Sequence, residues 1–159
     1  MKAIILGDSH GNLGVLQRII DREAPFDLLF HLGDGIEDGL RLKLIKDFNF
    51  DAVNGNNDPR DAFPLETVIK FGRYRCFFTH GHYYQVNDQL DQMVNAAKKE
   101  RAAIVFYGHT HHYSDQQYKG VRLVNPGTVC RYLNKIPSYL SLEVKQGDLL
   151  IQKVDLPGK

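Results

Sequence analysis

Five short apolar runs each end in a glycine-bearing turn that carries aspartate, asparagine or histidine. The run at 3–6 leads into Gly7-Asp8-Ser9-His10, and the run at 28–32 into Gly33-Asp34. The run at 51–53 leads into Asn54-Gly55-Asn56-Asn57-Asp58, and that at 75–79 into His80-Gly81-His82. The fifth, at 103–107, leads into Gly108-His109-Thr110-His111-His112. The polar groups always follow the run, and in open α/β sheets sites form outside the carboxyl ends of the strands. Four histidines, two aspartates and an asparagine offer imidazole nitrogens and hard oxygens without a thiolate. That mixture suits divalent manganese, iron, cobalt, nickel or zinc. In extended chain residues i and i+2 project to one side, so Asp8 and His10 can grip one ion together. His109 and His111 have the same spacing and can serve one ion or two neighbours. Seven ligands exceed the needs of one transition metal, so two ions are expected, with a carboxylate such as Asp34 able to bridge them. Two such ions, partly neutralised by carboxylates and a bridging hydroxide, leave a net positive site that attracts phosphate. Metals roughly 3.5–4 Å apart lower the pKa of a shared water and clamp phosphoryl oxygens during in-line displacement. No serine or cysteine nucleophile is then required.

The elements that must position these groups are legible. The apolar runs have strand length and β-branched or aromatic character. Asn12 can cap a helix with Leu13, Leu16, Ile19 and Ile20 on one face. Asp38 opens a second, with Leu40, Leu44 and Ile45 inward. Asn87 or Asp88 caps a third, with Leu90, Met93, Val94 and Ala97 inward. The front half therefore reads β-α-β-α-β, a parallel-sheet signature. The back half holds hairpins turning at Gly72-Arg73, Lys119-Gly120 and Gln146-Gly147-Asp148. These antiparallel strands suggest a second sheet stacked on the first. No linker or repeat separates the halves, so residues 1–159 read as a single domain.

The chain has 159 residues, 43% hydrophobic and 25% charged, with a net charge of +1. A dedicated duplex-nucleic-acid binder would show a basic footprint, and there is none. Cys76 and Cys130 form no CxxC pair, which fits a reducing cytoplasm, and Cys76 reads as a small buried hydrophobe. The apolar run after Met1 is too short for a signal peptide, and no stretch reaches the roughly 18 apolar residues of a membrane span.

The ordered set "GDSHG", "GDG", "GNND", "THGH", "GHTHH" and "NPGT" resembles the calcineurin-like metallophosphoesterase family, and its small prokaryotic phosphodiesterase subfamily in particular. The resemblance spans Asp8 to about Thr128. It implies an α/β (α+β) fold of two stacked mixed β-sheets flanked by helices, an αββα sandwich. It implies that Asp8, His10 and His111 bind one metal ion, that Asn56, His80 and His109 bind the second, and that Asp34 bridges both. The cofactor is then a pair of divalent transition metal ions, manganese first, with nickel, cobalt, iron or zinc as alternatives. The implied activity is cleavage of P–O bonds in a small phosphate ester by a metal-bridging hydroxide.

One position departs from the family pattern. Many members place a histidine after the ligand asparagine, where it aids the leaving group; here Asn57 stands there. An amide donates a hydrogen bond but cannot pass on a proton at neutral pH. Diesters, or esters with good leaving groups, are therefore the expected substrates, with His82 or a metal-bound water as proton source. Asp34, His82 and Asn57 are the candidate catalytic residues, and Asn57, His82 and Arg131 the candidate substrate contacts. His82 reads equally as a phosphate contact or a brace for His80. His31 reads as a satisfied core histidine, His112 as a rim residue, and Asp58 as a backbone acceptor or a ligand support. The loops at 83–89 and 129–137 carry Tyr83, Tyr84, Arg131 and Tyr132, which could stack on a base or aryl group. The competing readings are a phosphomonoesterase and a protein-interaction scaffold with the same fold, as in one eukaryotic retromer subunit. A scaffold need not keep seven ligands, and this chain does. A nuclease is disfavoured because there is no room for a nucleic-acid-holding domain; self-association is left open.

Overall fold

Alternation along the first strand decides the layering. The computed structural model describes residues 1–130 and 136–156. In β1 (Lys2–Leu6), Ala3 and Ile5 face one side, Ile4 and Leu6 the other, and all four are fully buried. A strand buried on both faces needs a layer on each. Ala3 and Ile5 join Phe30 of β2 (Leu28–His31) in a core shared with Phe78 of β5 (Tyr74–Thr79) and Phe106 of β6 (Ile104–Tyr107). Ile4 and Leu6 instead meet Val15, Leu16, Ile19 and Ile20 of α1 (Leu13–Glu23) and Leu42 of α2 (Ile36–Lys43). On the far side Phe77 and Val105 pack on Met93, Val94 and Ala97 of α3 (Asp91–Lys99). The result is helix, sheet, sheet, helix, as the resemblance implied. Phe30 and Phe78 meet across the inter-sheet core with ring centroids 4.4 Å apart and planes tilted by 41°.

The first sheet has the order β10-β9-β1-β2-β3, with β3 at Phe50–Ala52, β9 at Ser138–Lys145 and β10 at Asp148–Asp155. β1, β2 and β3 are mutually parallel, as the β-α-β-α-β reading required. The second sheet runs β4-β5-β6-β8-β7, with β4 at Glu66–Phe71, β7 at Tyr113–Tyr118 and β8 at Val121–Pro126. All three expected hairpins form. They do not all join the second sheet, however. The third hairpin returns to the first, where β9 lies antiparallel to β1. The reason is two-sided burial: Leu140 and Leu142 face the inter-sheet core and Tyr139 faces the helix layer. The second sheet in turn contains parallel pairs, β5 with β6 and β6 with β8.

Helix positions differ in detail. α2 begins at Ile36, two residues before Asp38, and buries Ile36, Asp38, Gly39 and Leu42. Leu40, Leu44 and Ile45, expected inward, are exposed. Two contacts set this rotation: Asp38 turns in to hydrogen-bond Ser9 and Gly11, and Gly39 lies against the Phe50 ring, where an added Cβ would sit 2.3 Å from Cε2. α3 starts at Asp91 rather than after Asn87 or Asp88, yet its inward face is the expected one. Asn12 precedes α1 without capping it through its side chain, which reaches Val129 O at 3.5 Å. No helix among the described residues is long and apolar enough to cross a membrane.

Candidate metal centre

The turns after β1, β2, β3, β5 and β6 converge at one end of the two sheets. Parallel pairing puts the ends of β1, β2 and β3 side by side, and does the same for β5 and β6. Ten non-glycine residues among those described have positive φ, and five of them are Asp8, His10, Asp34, His109 and His111. Positive φ is costly for residues with a Cβ, so its concentration here marks turns held in shape by their surroundings.

Six side chains fall into two groups. Asp8, His10 and His111 bring one ligand atom each within 4.8 Å of one another, and Asp34, His80 and His109 do the same. The groups adjoin. His80 Nε2 lies 3.2 Å from Asp8 Oδ1 and 3.6 Å from Asp34 Oδ2. His111 Nε2 lies 3.2 Å from Asp8 Oδ1, and His10 Nε2 lies 3.9 Å from Asp34 Oδ2 and 3.4 Å from His111 Nε2. Asp8, Asp34 and His80 are buried, while His109 and His111 are partly open and His10 is exposed, so the pair of groups faces solvent on one side. Burial opposes ionisation of Asp8, but hydrogen bonds with His111 and His80 outweigh it and hold the carboxyl well below the usual range. Imidazole nitrogens and carboxylate oxygens so arranged fit borderline divalent transition ions.

The supports around the groups are backbone and buried polar bonds. Asp58 accepts from four backbone N–H groups: Asp34 (2.7 Å), Gly35 (2.8 Å), Ile36 (3.0 Å) and Gly55 (2.8 Å). Those bonds outweigh the effect of burial and lower its pKa. Asp58 therefore ties the Asp34 turn to the Asn56 turn. Thr128 Oγ1 donates to Asp8 O at 2.8 Å, and Asn125 Nδ2 donates to Gly108 O at 2.8 Å, so the "NPGT" segment does close beneath the site. Ser9 Oγ donates to Asp38 Oδ2 at 2.5 Å and lies 3.0 Å from His31 Nε2. His31 Nδ1 accepts from Gly33 N at 3.1 Å, which makes Nε2 the protonated nitrogen. Burial lowers the His31 pKa to about 4, so the ring is neutral. His31 is thus a satisfied core histidine. Ser9 and Asp38 were missed as supports: Ser9 sits unremarked inside "GDSHG", and Asp38 looked like a helix cap.

The remaining candidates lie around this centre. His82 Nδ1 is 3.0 Å from His80 Nδ1, and its pKa is lowered by burial first and then by His80 and His109. Asn57 sits on Asp34: its backbone N donates to Oδ1 at 2.8 Å and its Nδ2 to Oδ2 at 2.6 Å. Asn56 is exposed and lines a cavity of about 380 Å³ together with Asp58 and His82. His112 is exposed, as a rim residue should be. Tyr84 is buried with its hydroxyl on Glu66, which removes it from the substrate side, whereas Tyr83 is exposed. Arg131 and Tyr132 lie outside the described residues.

A family model described as "Calcineurin-like phosphoesterase superfamily domain" matches residues 1–147. The chain is 28% identical over 160 residues to a probable metallophosphoesterase of Bacillus subtilis, covering 99% of this chain and 93% of that one. It is 27% identical over 167 residues to a phosphodiesterase of Methanocaldococcus jannaschii, covering 92% and 95%. A solved structure of a predicted phosphoesterase from Streptococcus pneumoniae superposes with a TM-score of 0.78 at 26% identity, covering 97% of this chain and 88% of that one. Vps29 of Entamoeba histolytica superposes with a TM-score of 0.73 at 21% identity, covering 98% and 99%, a likeness of fold. With the family model spanning nearly its whole length, the chain belongs to the calcineurin-like phosphoesterase superfamily.

Proposed function

We propose that this protein is a dinuclear metal-dependent phosphoesterase that acts on phosphodiesters in preference to monoesters. The observation that carries the reading is the pair of adjoining groups, Asp8–His10–His111 and Asp34–His80–His109, each with three ligand atoms within 4.8 Å. Asp8, His10 and His111 would hold one divalent ion, and His80 and His109, with Asn56, the other, Asp34 being shared. Manganese is the first candidate. Two bound ions would supply Lewis acidity toward the phosphoryl group and a water of lowered pKa as nucleophile. The chain's own residues do the rest. His82 Nδ1 can accept the Nδ1–H of His80, leaving His80 Nε2 free as a ligand and its ring fixed. Asn57 holds the Asp34 carboxylate with two donors and offers no proton to a leaving alkoxide. Good leaving groups need no such proton, which favours activated esters.

The test is hydrolysis of matched aryl mono- and diesters by metal-stripped protein re-metallated with Mn, Ni, Co, Zn or Mg. Metal-dependent turnover with diester preference is expected. Monoester preference would contradict the reading of Asn57. No turnover with any metal would favour the second reading, a protein-interaction scaffold, which the Vps29 likeness supports at the level of fold.

A further inference from the structure

Two separate cavities with no lining residue in common adjoin the candidate metal centre, one through Asn56 and His82 and the other through His111. The first, about 380 Å³, has Asn56 and His82 on its near wall, and His82 is in contact with His80 of the Asp34 group. It is also lined by Phe63, Leu65, Arg60 and Asp61. The second, about 320 Å³, has His111 and Thr128 on its near wall; His111 belongs to the Asp8 group, and Thr128 holds Asp8 O. It is also lined by Tyr113, Ile136 and Lys153, with Lys153 Nζ 5.0 Å from the centre of the Tyr113 ring. Both volumes fall at the low end of small-molecule sites, and each cavity combines apolar or aromatic surface with a cation and carboxylates: Arg60 with Asp58 and Asp61 in the first, and Lys153, ion-paired to Asp155 at 2.7 Å, in the second.

From this arrangement we propose that the substrate is a phosphodiester with two ring-bearing arms, one seated against Phe63 and Leu65 and the other against Tyr113 and Ile136. The inference rests on the phosphoesterase reading and extends it from reaction class to substrate shape. A phosphoryl group held at the two ligand groups must project its ester substituents away from them. A monoester has one substituent and would use one cavity. A diester has two, and the fold provides an apolar wall in each cavity. In an in-line displacement the leaving arm and the retained arm take different directions, so two separate cavities adjoining the centre suit that geometry. Arg60 makes no hydrogen bond or ion pair with a described residue, so its guanidinium is available to a ligand.

Binding tests this without requiring turnover. Manganese-loaded protein is titrated by calorimetry with three non-hydrolysable monoanions: dimethylphosphinate, methylphenylphosphinate and diphenylphosphinate. Affinity should rise in two steps, about tenfold for each ring added. Leu65→Asn and Ile136→Asn change exposed wall residues, 47% and 59% open, so the fold should tolerate them. Each should cut the diphenylphosphinate affinity by about threefold, and the double variant by the product, about tenfold, with dimethylphosphinate binding unchanged. A single step, no step, no measurable diphenylphosphinate binding, or equal weakening of all three probes would overturn the two-arm proposal. Failure of the phosphoesterase reading shows up separately, as absent metal-dependent hydrolysis of every ester in protein that still binds the probes in two steps.

Discussion

Asp58→Asn removes one charge and reshuffles one carboxylate, yet it should be among the more damaging changes near the centre. The carboxylate oxygens each accept two backbone N–H groups, Oδ1 from Gly35 and Ile36 and Oδ2 from Asp34 and Gly55. Asparagine has one acceptor oxygen, so two bonds are lost and its NH₂ group faces two N–H donors. Hydrogen bonds to a charged group contribute roughly 1.5–3 kcal/mol each. Asp58 is half-buried, so water replaces part of the loss, and the net cost should be about 2–3 kcal/mol. For a domain of this size that lowers Tm by roughly 5–10 °C. The measurement is urea unfolding of metal-free protein, in which the midpoint should fall with the slope unchanged. Asp61→Asn is the control, since Asp61 is exposed and makes no hydrogen bond or ion pair with a described residue, and it should stay within about 0.5 kcal/mol of the parent. A cost below about 1 kcal/mol for Asp58→Asn would refute the claim that this carboxylate ties the two ligand turns together.

Three more outcomes are expected. A Cβ at Gly55 would sit 2.1 Å from Asp34 Oδ1 and 2.5 Å from Asp34 N, so Gly55→Ala should displace that carboxylate and lower the metal stoichiometry measured by elemental analysis, in protein that still folds by circular dichroism. His31 is held neutral with its pKa near 4, below its ordinary 6.5, so the unfolded chain takes up a proton that the folded one refuses. Stability should therefore decline as pH falls from about 6.5 toward 4, by up to roughly 3 kcal/mol from this group, and denaturation of His31→Gln should lack that part of the slope. Asn57→His restores a group able to give up a proton, so turnover of diesters with poor leaving groups should rise about tenfold or more while activated aryl esters change little; no change would sink the argument from the missing acid.

Much of the architecture was legible because it depends on local pattern. The alternation in β1 and the 3.6-residue spacing of α1 and α3 report which faces are buried, whatever lies opposite. Turn glycines likewise marked all three hairpins, since a tight turn depends on the few residues within it. α2 was misread because Leu40, Leu44 and Ile45 give an apolar stripe that the tertiary structure leaves exposed, while Asp38 turns inward to Ser9 and Gly11. The destination of the β9–β10 hairpin was unreadable for a similar reason: sheet membership is a contact between segments more than a hundred residues apart, as in Ile5 with Leu140.

The sequence by itself determined which side chains gather at one end of the sheets, because strand ends deliver their side chains in a fixed direction and Asp8, Asp34, His80, His109 and His111 all stand in the turns that follow such ends. It also determined that no proton-donating side chain occupies position 57. Only the tertiary structure decided how those residues divide into two adjoining groups, and that Asn57 lies on Asp34. It alone revealed that Asp58, Thr128 and Ser9 hold the turns from behind, and that two separate cavities adjoin the site. Those are choices of partner between distant parts of the chain, and local periodicity carries no information about which buried donor meets which acceptor.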